Sequence, residues 1–295
     1  MNIVFIGAGN IGGAIRSLIK EEYCVAMWDI NPVVVPDQKA LEDIVPQADM
    51  IFFCLQTHFL RSSIKPLLDF LKPETIIVSV SKSIEAQTNF FVDELLKDAL
   101  PNNQPFALMH GPMLAKEIAC NQGSAAVIAT MSEQDFKTLA NLFLQSKIKL
   151  QYSNDVHGTA IAGVLKNVYA IALGIAYGLG WCNNRKGWLV ASSISEMQSI
   201  ISKLGSDPKT ALSLAGIGDL IATGFSKLSG NQTLGRNLAK TNTYPKTSEG
   251  CMAFPSLWAL LEGKTSDLPV ITALEKILIQ KQEAKNVFEE LFQNL

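Results

Sequence analysis

The chain has 295 residues, a length at which one hydrophobic core usually gives way to two. Apolar residues make up 48% and charged residues 18%, which excludes the disordered class. The formal net charge is −2, and basic residues are scattered without an arginine-rich arm, so no nucleic-acid function is expected.

The amino terminus, MNIVFIGAG, lacks the charged region and cleavage site of a signal peptide and runs straight into a strand pattern. Ile3–Ile6, Cys24–Trp28, Met50–Leu55, Thr75–Val80 and Phe106–Met109 are β-branched, aromatic or continuously apolar, as strands covered on both faces should be. Amphipathic segments at 59–71 and 89–100 lie between them. Alternating strands and helices predict a parallel sheet with helices on both faces. Segments 125–129 and 148–152 add two strands, joined by a helix over 132–145 that Ser132 opens. After Asn154 the strand pattern stops. Segments 156–179, 183–204, 208–214, 231–240, 249–261, 270–279 and 283–292 all read as helix. The chain is therefore expected to divide into an α/β domain, 1–153, and an all-helical domain, 154–295.

Five cysteines (24, 54, 120, 182 and 251) form no C-x-x-C pair and are expected to be reduced, mostly buried thiols of a cytoplasmic protein. His58, His110 and His157 have no metal-ligand spacing, so no metal is expected.

Gly7-Ala8-Gly9-Asn10-Ile11-Gly12 has G-x-G-x-x-G spacing. It follows a strand and opens a helical run, the context that this motif requires. Such a loop brings backbone N–H groups, those of Asn10 and Ile11 among them, to a pyrophosphate at a helix N-terminus. Asp29 ends the second strand, 20 residues after Gly9. An acid there bonds both ribose hydroxyls of NAD and repels the 2′-phosphate of NADP. The expected fold is thus Rossmann-like and the expected cofactor is NAD. A glycine turn that only packs helix on strand, and FAD in the same loop, are the alternatives.

In GVLKNVYAIALGIAYGLG, residues 163–180, Lys166 is the only formally charged side chain between Asp155 and Arg185. The stretch is long enough to suggest a membrane span. Lys166, Asn167, two tyrosines and repeated glycines argue for a buried helix instead. A buried ammonium costs several kcal/mol unless paired. Three accounts stay open: a lysine reaching solvent past small neighbours such as Ala170 and Gly174, a buried ion pair, or a working group. Asp219, set among glycines and apolar residues, is the available partner, with Thr223 on its helix face at i+4. Lys82 follows the strand at 75–80 directly. It is either a second cation near the cofactor or a solvated loop lysine.

Taken together, these segments resemble the bacterial type of NAD(P)-dependent glycerol-3-phosphate dehydrogenase nearly end to end. GAGNIGGAI resembles its nucleotide loop, SKSIE its lysine segment and GPMLAKEIA its glycine-proline motif. GVLKNVYAIALGIAYGLG resembles its catalytic-lysine helix, AGIGDLIATG its aspartate motif and SEGC its glutamate-glycine element. The resemblance implies Lys166 as catalytic lysine with Asp219 as its partner. It implies Lys82, Gly111, Met113, Asn167, Thr223, Ser229, Gly230 and Asn231 around the substrate. Gly7, Gly9, Asn10, Ile11, Gly12, Asp29, Lys82, Ala115, Gly230 and Glu249 would meet the cofactor. The implied helical domain is of the 6-phosphogluconate dehydrogenase C-terminal type. The implied reaction is NAD(H)-linked interconversion of dihydroxyacetone phosphate and sn-glycerol 3-phosphate for phospholipid synthesis, by a homodimer.

Two departures stand out. Gly230 occupies the place of the family's phosphate-binding arginine, and Gln232 and Thr233 stand where further basic residues occur. Loss of a bidentate charged contact removes about 1.5–3 kcal/mol of phosphate binding. The N–H of Gly230 remains as a weaker donor, and Lys227 is better placed than Arg236 to compensate. The chain between Asp29 and Met50 is also shorter than the family's. Three further readings follow: a reductase like pyrroline-5-carboxylate reductase, which the GNIGGAI opening also resembles; a dehydrogenase with an altered substrate; and a non-catalytic NAD-binding paralogue.

Overall fold

The structure is a computed structural model and describes residues 1–241 and 248–293. The chain forms two compact units, residues 1–82 with 90–160, and residues 83–89 with 161–295.

The first unit is built on seven strands: β1 (Asn2–Ile6), β2 (Cys24–Trp28), β3 (Met50–Phe53), β4 (Ile76–Ser79), β5 (Phe106–His110), β6 (Ser124–Ala129) and β7 (Ile148–Ser153). Their order is β2-β1-β3-β4-β5-β6-β7. Strands β1 to β5 are mutually parallel, β6 joins β5 antiparallel, and β7 runs parallel to β6. β3 and β4 are buried along their whole length, which is why they read as unbroken apolar runs. On one face, Phe5 stacks on Phe52 at 4.7 Å, and Ala14 and Ile15 of the helix Asn10–Leu18 join the same core. The buried Phe5, Phe52 and Ile15 side chains each contribute about 1.5–3 kcal/mol. The chain leaves β1 to one side for β2 and returns across it for β3. The carboxyl ends of β1 and β3 therefore flank the switch point where open α/β sheets receive ligands.

Helices are shorter than periodicity suggests where backbone chemistry intervenes. The expected helix over 59–71 is Thr57–Ile64, followed by a 3₁₀ turn, Lys65–Leu67, because Pro66 has no N–H to continue the ladder. The segment 89–100 gives Val92–Ala99, which starts after a left-handed Asn89 and is capped by Glu94 on the Phe91 N–H. All five cysteines are free, but the expectation that most are buried fails. Only Cys54 is buried, Cys251 is intermediate, and Cys24, Cys120 and Cys182 are exposed. The exposed ones sit where elements begin or end: Cys24 opens the edge strand, and Cys120 and Cys182 flank helices.

The second unit is helical. Its central helix, Val156–Gly178, begins in the first unit and is long and apolar enough to cross a membrane by composition, yet its apolar window is wholly buried inside the protein. It is apolar on all sides, as a core helix must be. Close packing against the helix Gly230–Thr241 requires small residues. A Cβ on Gly174 would lie 2.3 Å from the Gln232 carbonyl oxygen, and one on Gly235 2.1 Å from that of Ile171. From the helix Asn183–Lys203, Glu196 reaches the start of Pro269–Leu278 and accepts the N–H groups of Val270 and Ile271 at 2.6 and 3.0 Å. Tyr169 donates to it at 2.9 Å. Burial pushes the Glu196 carboxyl up to about 7, against three hydrogen bonds that favour its charged form. The expected helix 208–214 is instead a 3₁₀ turn, Pro208–Leu212, an extended Ser213, and a π-helical turn, Leu214–Gly218, that runs into Asp219–Gly224.

Candidate active site

In the first unit the glycine loop leaves β1 with Gly7 at φ +97, a conformation that favours glycine. A Cβ on Gly12 would fall 2.0 Å from the Gly7 carbonyl oxygen, so the helix can approach the strand this closely only without a side chain. A Cβ on Gly9 would meet nothing within 4 Å. Gly9 is the N-cap of Asn10–Leu18, with no side-chain cap and no acid in the first turn. The first N–H groups of that helix, from Asn10 and Ile11 on, thus lack a capping side chain, and the open space at Gly9 suits a pyrophosphate.

Asp29 stands beside this loop. Its Oδ2 accepts the Ala8 N–H at 2.8 Å and its Oδ1 the Asn31 N–H at 2.9 Å. Gln38, which sequence reasoning did not single out, accepts the Asp29 N–H at 2.7 Å and donates to the Asp29 carbonyl at 2.9 Å.

At the ends of β4 and β5, Lys82 Nζ donates to the Gly111 carbonyl at 3.1 Å. Gly111 is left-handed at φ +149, and a Cβ there would lie 2.6 Å from the Ala125 carbonyl oxygen. Met113 packs into the sheet core, with Ala115 partly buried against it. His110, also unforeseen, is fully buried. Its Nε2 lies 2.8 Å from the Ser81 carbonyl oxygen and its Nδ1 3.1 Å from that of Thr159. Carbonyls only accept, so a neutral ring satisfies one of them and an imidazolium both. This ring ties the residue before Lys82 to the residue before Gly111. A lone histidine at a strand end was the available signal.

In the second unit Lys166 is 7% exposed and Asp219 2%. Lys166 Nζ donates to Asp219 Oδ1 at 3.1 Å and to Thr223 Oγ1 at 2.9 Å, and Thr223 donates to Asp219 at 3.0 Å. The three groups close a triangle. Of the three accounts of the lysine, solvent exposure is thereby removed. The π-helical turn sets the direction of Asp219. Ser213 caps it at the Ala215 N–H, 3.1 Å, and a Cβ on Gly216 would lie 2.1 Å from the Ala211 carbonyl oxygen.

Asn167 heads a second chain of contacts. It donates to Glu249 at 3.2 Å and accepts from Asn231 at 2.8 Å, while Asn231 accepts the Gly250 N–H at 2.9 Å. The helix Gly230–Thr241 starts with Ser229 as its cap, 3.2 Å from the Gln232 N–H. Gly230 is exposed, and a Cβ on it would meet nothing within 4 Å. Lys227 is exposed, whereas the Arg236 guanidinium lies 4.8 Å over the Tyr177 ring. Among the described residues no group of acids, cysteines and histidines could hold a metal ion.

Sheet order, glycine loop and Asp29 define a dinucleotide-binding α/β protein with a helical second unit. Comparison with known proteins carries this further. Residues 32–136 match the NAD-dependent glycerol-3-phosphate dehydrogenase N-terminus, and residues 155–289 the C-terminus of the same enzyme. A glycerol-3-phosphate dehydrogenase [NAD(P)+] of Leifsonia xyli is 31% identical over 83% of this chain and 68% of its own. One from Clostridium tetani is 28% identical over 98% and 91%. The crystal structure of the glycerol-3-phosphate dehydrogenase of Coxiella burnetii superposes with a TM-score of 0.87 at 22% identity, covering 99% of this chain and 98% of that one. A ketopantoate reductase from Ralstonia eutropha shares the fold at a TM-score of 0.60 and 14% identity, over 99% of each chain. The chain belongs to the NAD-dependent glycerol-3-phosphate dehydrogenase family and is an NAD(P)-dependent oxidoreductase.

Proposed function

We propose that the protein interconverts dihydroxyacetone phosphate and sn-glycerol 3-phosphate, with NADH as its cofactor and Lys166 as general acid and base. The observation that carries this reading is the buried triangle of Lys166, Asp219 and Thr223. When bound, the nicotinamide supplies the hydride for the C2 carbon. Lys166 stabilises the oxygen on C2 as charge develops there and gives it the Nζ proton; in the reverse direction it takes that proton back. Asp219 compensates the buried ammonium and aims it, and Thr223 fixes its position from a second side. On the family resemblance, Lys82, Gly111, Met113, Asn167, Ser229, Gly230 and Asn231 are the substrate-binding residues. On the same resemblance, Gly7, Gly9, Asn10, Ile11, Gly12, Asp29, Lys82, Ala115, Gly230 and Glu249 are the cofactor-binding residues. We take residues 1–153 as the dinucleotide-binding domain and 154–295 as the helical substrate and catalytic domain. On the family resemblance alone, we extend this to a cytoplasmic homodimer that supplies phospholipid synthesis.

The test is NADH oxidation by purified protein with dihydroxyacetone phosphate. Saturable oxidation supports the reading, and undiminished turnover by Lys166→Ala would end the role of Lys166. Gly230 favours a second reading, a small ketone with less charge than a phosphate ester. NADH oxidation with such a ketone, and none with dihydroxyacetone phosphate, would select it.

A further inference from the structure

We propose that Gln38 is a positioning residue that sets the preference for NADH over NADPH by holding Asp29 in place. The inference rests on the reading of Asp29 as the acid that meets the adenosine ribose.

β2 is an edge strand, so among the described residues its outer side has no neighbouring strand. The Trp28 carbonyl accepts the Gly7 N–H at 2.9 Å, which turns Trp28 inward. Backbone direction alternates along a strand, so the N–H and C=O of Asp29 face outward. Gln38 supplies what a strand residue would have supplied. One carboxamide accepts the Asp29 N–H at 2.7 Å and donates to the Asp29 carbonyl at 2.9 Å.

Apart from the Asn31 N–H, the rest of the connection gives Asp29 little packing. Ile30 is 86% exposed and Val33 81%, so residues just after the acid bury little. Gln38 is half-buried and lies only a few residues before the short helix Leu41–Ile44. It therefore anchors a segment that packing alone would leave loose.

The anchored carboxylate has a suitable count of free sites. An ionised carboxylate offers about four lone-pair directions. Ala8 and Asn31 use one on each oxygen. The remainder matches two ribose hydroxyls, while a 2′-phosphate would meet an unshielded negative charge. Selectivity is a difference of two affinities. If Asp29 drifts, NADH loses hydrogen bonds and NADPH loses repulsion, so the ratio falls from both sides. A general loosening of the loop would weaken both dinucleotides alike.

The experiment is equilibrium binding of NADH and NADPH to the full chain, read by nicotinamide fluorescence without substrate. Gln38→Met keeps the bulk and removes both hydrogen bonds. The expected result is an NADH Kd raised about 3- to 10-fold, with the NADPH Kd unchanged or lowered. Equal weakening of both, or no change in either, overturns the proposal. Should Gln38→Met fail to fold, Gln38→Ala carries the same comparison. The parent protein is measured first. If it binds neither dinucleotide, or NADPH more tightly than NADH, the reading of Asp29 falls and the role of Gln38 with it, before any variant is made.

Discussion

Lys166 and Tyr169 lie one turn apart on the helix Val156–Gly178, and each faces a buried carboxylate. Asp219 is 2% exposed and Glu196 3%, so burial does not separate them. Their partners do. Glu196 meets only neutral donors, two backbone N–H groups and a phenol, and burial prevails over them: its carboxyl is pushed up to about 7. Burial first, and Glu196 second, likewise push the Tyr169 phenol well up. Asp219 instead meets an ammonium at 3.1 Å, and the two opposite charges compensate each other. The same depth thus holds a carboxyl pushed towards its neutral form at one turn and an ion pair at the next. The difference lies in the partner, not in the acid.

The comparison breaks most visibly at the lysine. Lys166→Met should lower turnover of NADH with dihydroxyacetone phosphate about 10²- to 10⁴-fold. It should also cost about 3–5 kcal/mol of stability, because Asp219 is left buried without its cation. Adding Asp219→Asn should restore much of the stability and none of the activity. A double variant that regains activity would mean that the pair is a strut after all.

Glu196 should respond in the opposite way, through stability and not through turnover. The folded carboxyl keeps its proton up to about 7, while the unfolded one releases it near 4.5. Between these values the folded state binds more protons. The resulting stability is complete below 4.5 and lost as pH rises through about 7, a change of about 3 kcal/mol. Urea midpoints of Glu196→Gln across this range should lose that slope. A slope equal to the parent's would show that Glu196 is ionised throughout.

A third test adds a cation where this chain has none. The space at Gly230 is open, so Gly230→Arg should fold without a clash. It should lower the KM for dihydroxyacetone phosphate about 10-fold with little change in kcat, as one charge-assisted contact would. An unchanged KM would mean either that the phosphate is already held by other groups or that the natural substrate carries none. A direct assay of the parent protein separates those outcomes.

What the sequence made legible follows from which interactions involve side-chain identity. β3 and β4 were readable because they are buried on both faces and tolerate only apolar residues. The meeting of Lys166 with Asp219 was readable because each is an isolated charge among apolar and small residues. The Gln38 clamp was not, since both of its partners are backbone groups of Asp29 and any residue would offer them. The π-helical turn before Asp219 has no composition of its own, and a 3₁₀ turn, Pro208–Leu212, stands where a helix over 208–214 was expected. The cysteines misled because element ends expose residues whose type suggests burial.

Asp93 gives the smallest effect and the finest distinction, since its partner carries a charge that can be switched. It is fully buried and lies 3.1 Å from His157 Nδ1 and 3.2 Å from Lys97 Nζ. Burial opposes its charge, but the hydrogen bond and charge of His157, aided by Lys97, hold the Asp93 carboxyl below its ordinary 3.8. The hydrogen bond that His157 donates to Asp93 raises the histidine above its ordinary 6.5, against partial burial. It does so at the first turn of Val156–Gly178, where the helix dipole disfavours a cation. The raised histidine gives stability that is complete below 6.5 and lost as pH rises through its folded value. The lowered carboxyl gives stability present above 3.8 and lost as pH falls through its folded value. The pair therefore contributes in full only between 3.8 and 6.5. His157→Gln should reduce stability within that window by about 1 kcal/mol or less, and the loss should shrink at alkaline pH, where the parent histidine is neutral too. The measurement belongs in a Glu196→Gln background, because Glu196 loses stability over an overlapping range. An equal loss at acid and alkaline pH would show that the His157 ring supports Asp93 by shape and hydrogen bonding alone.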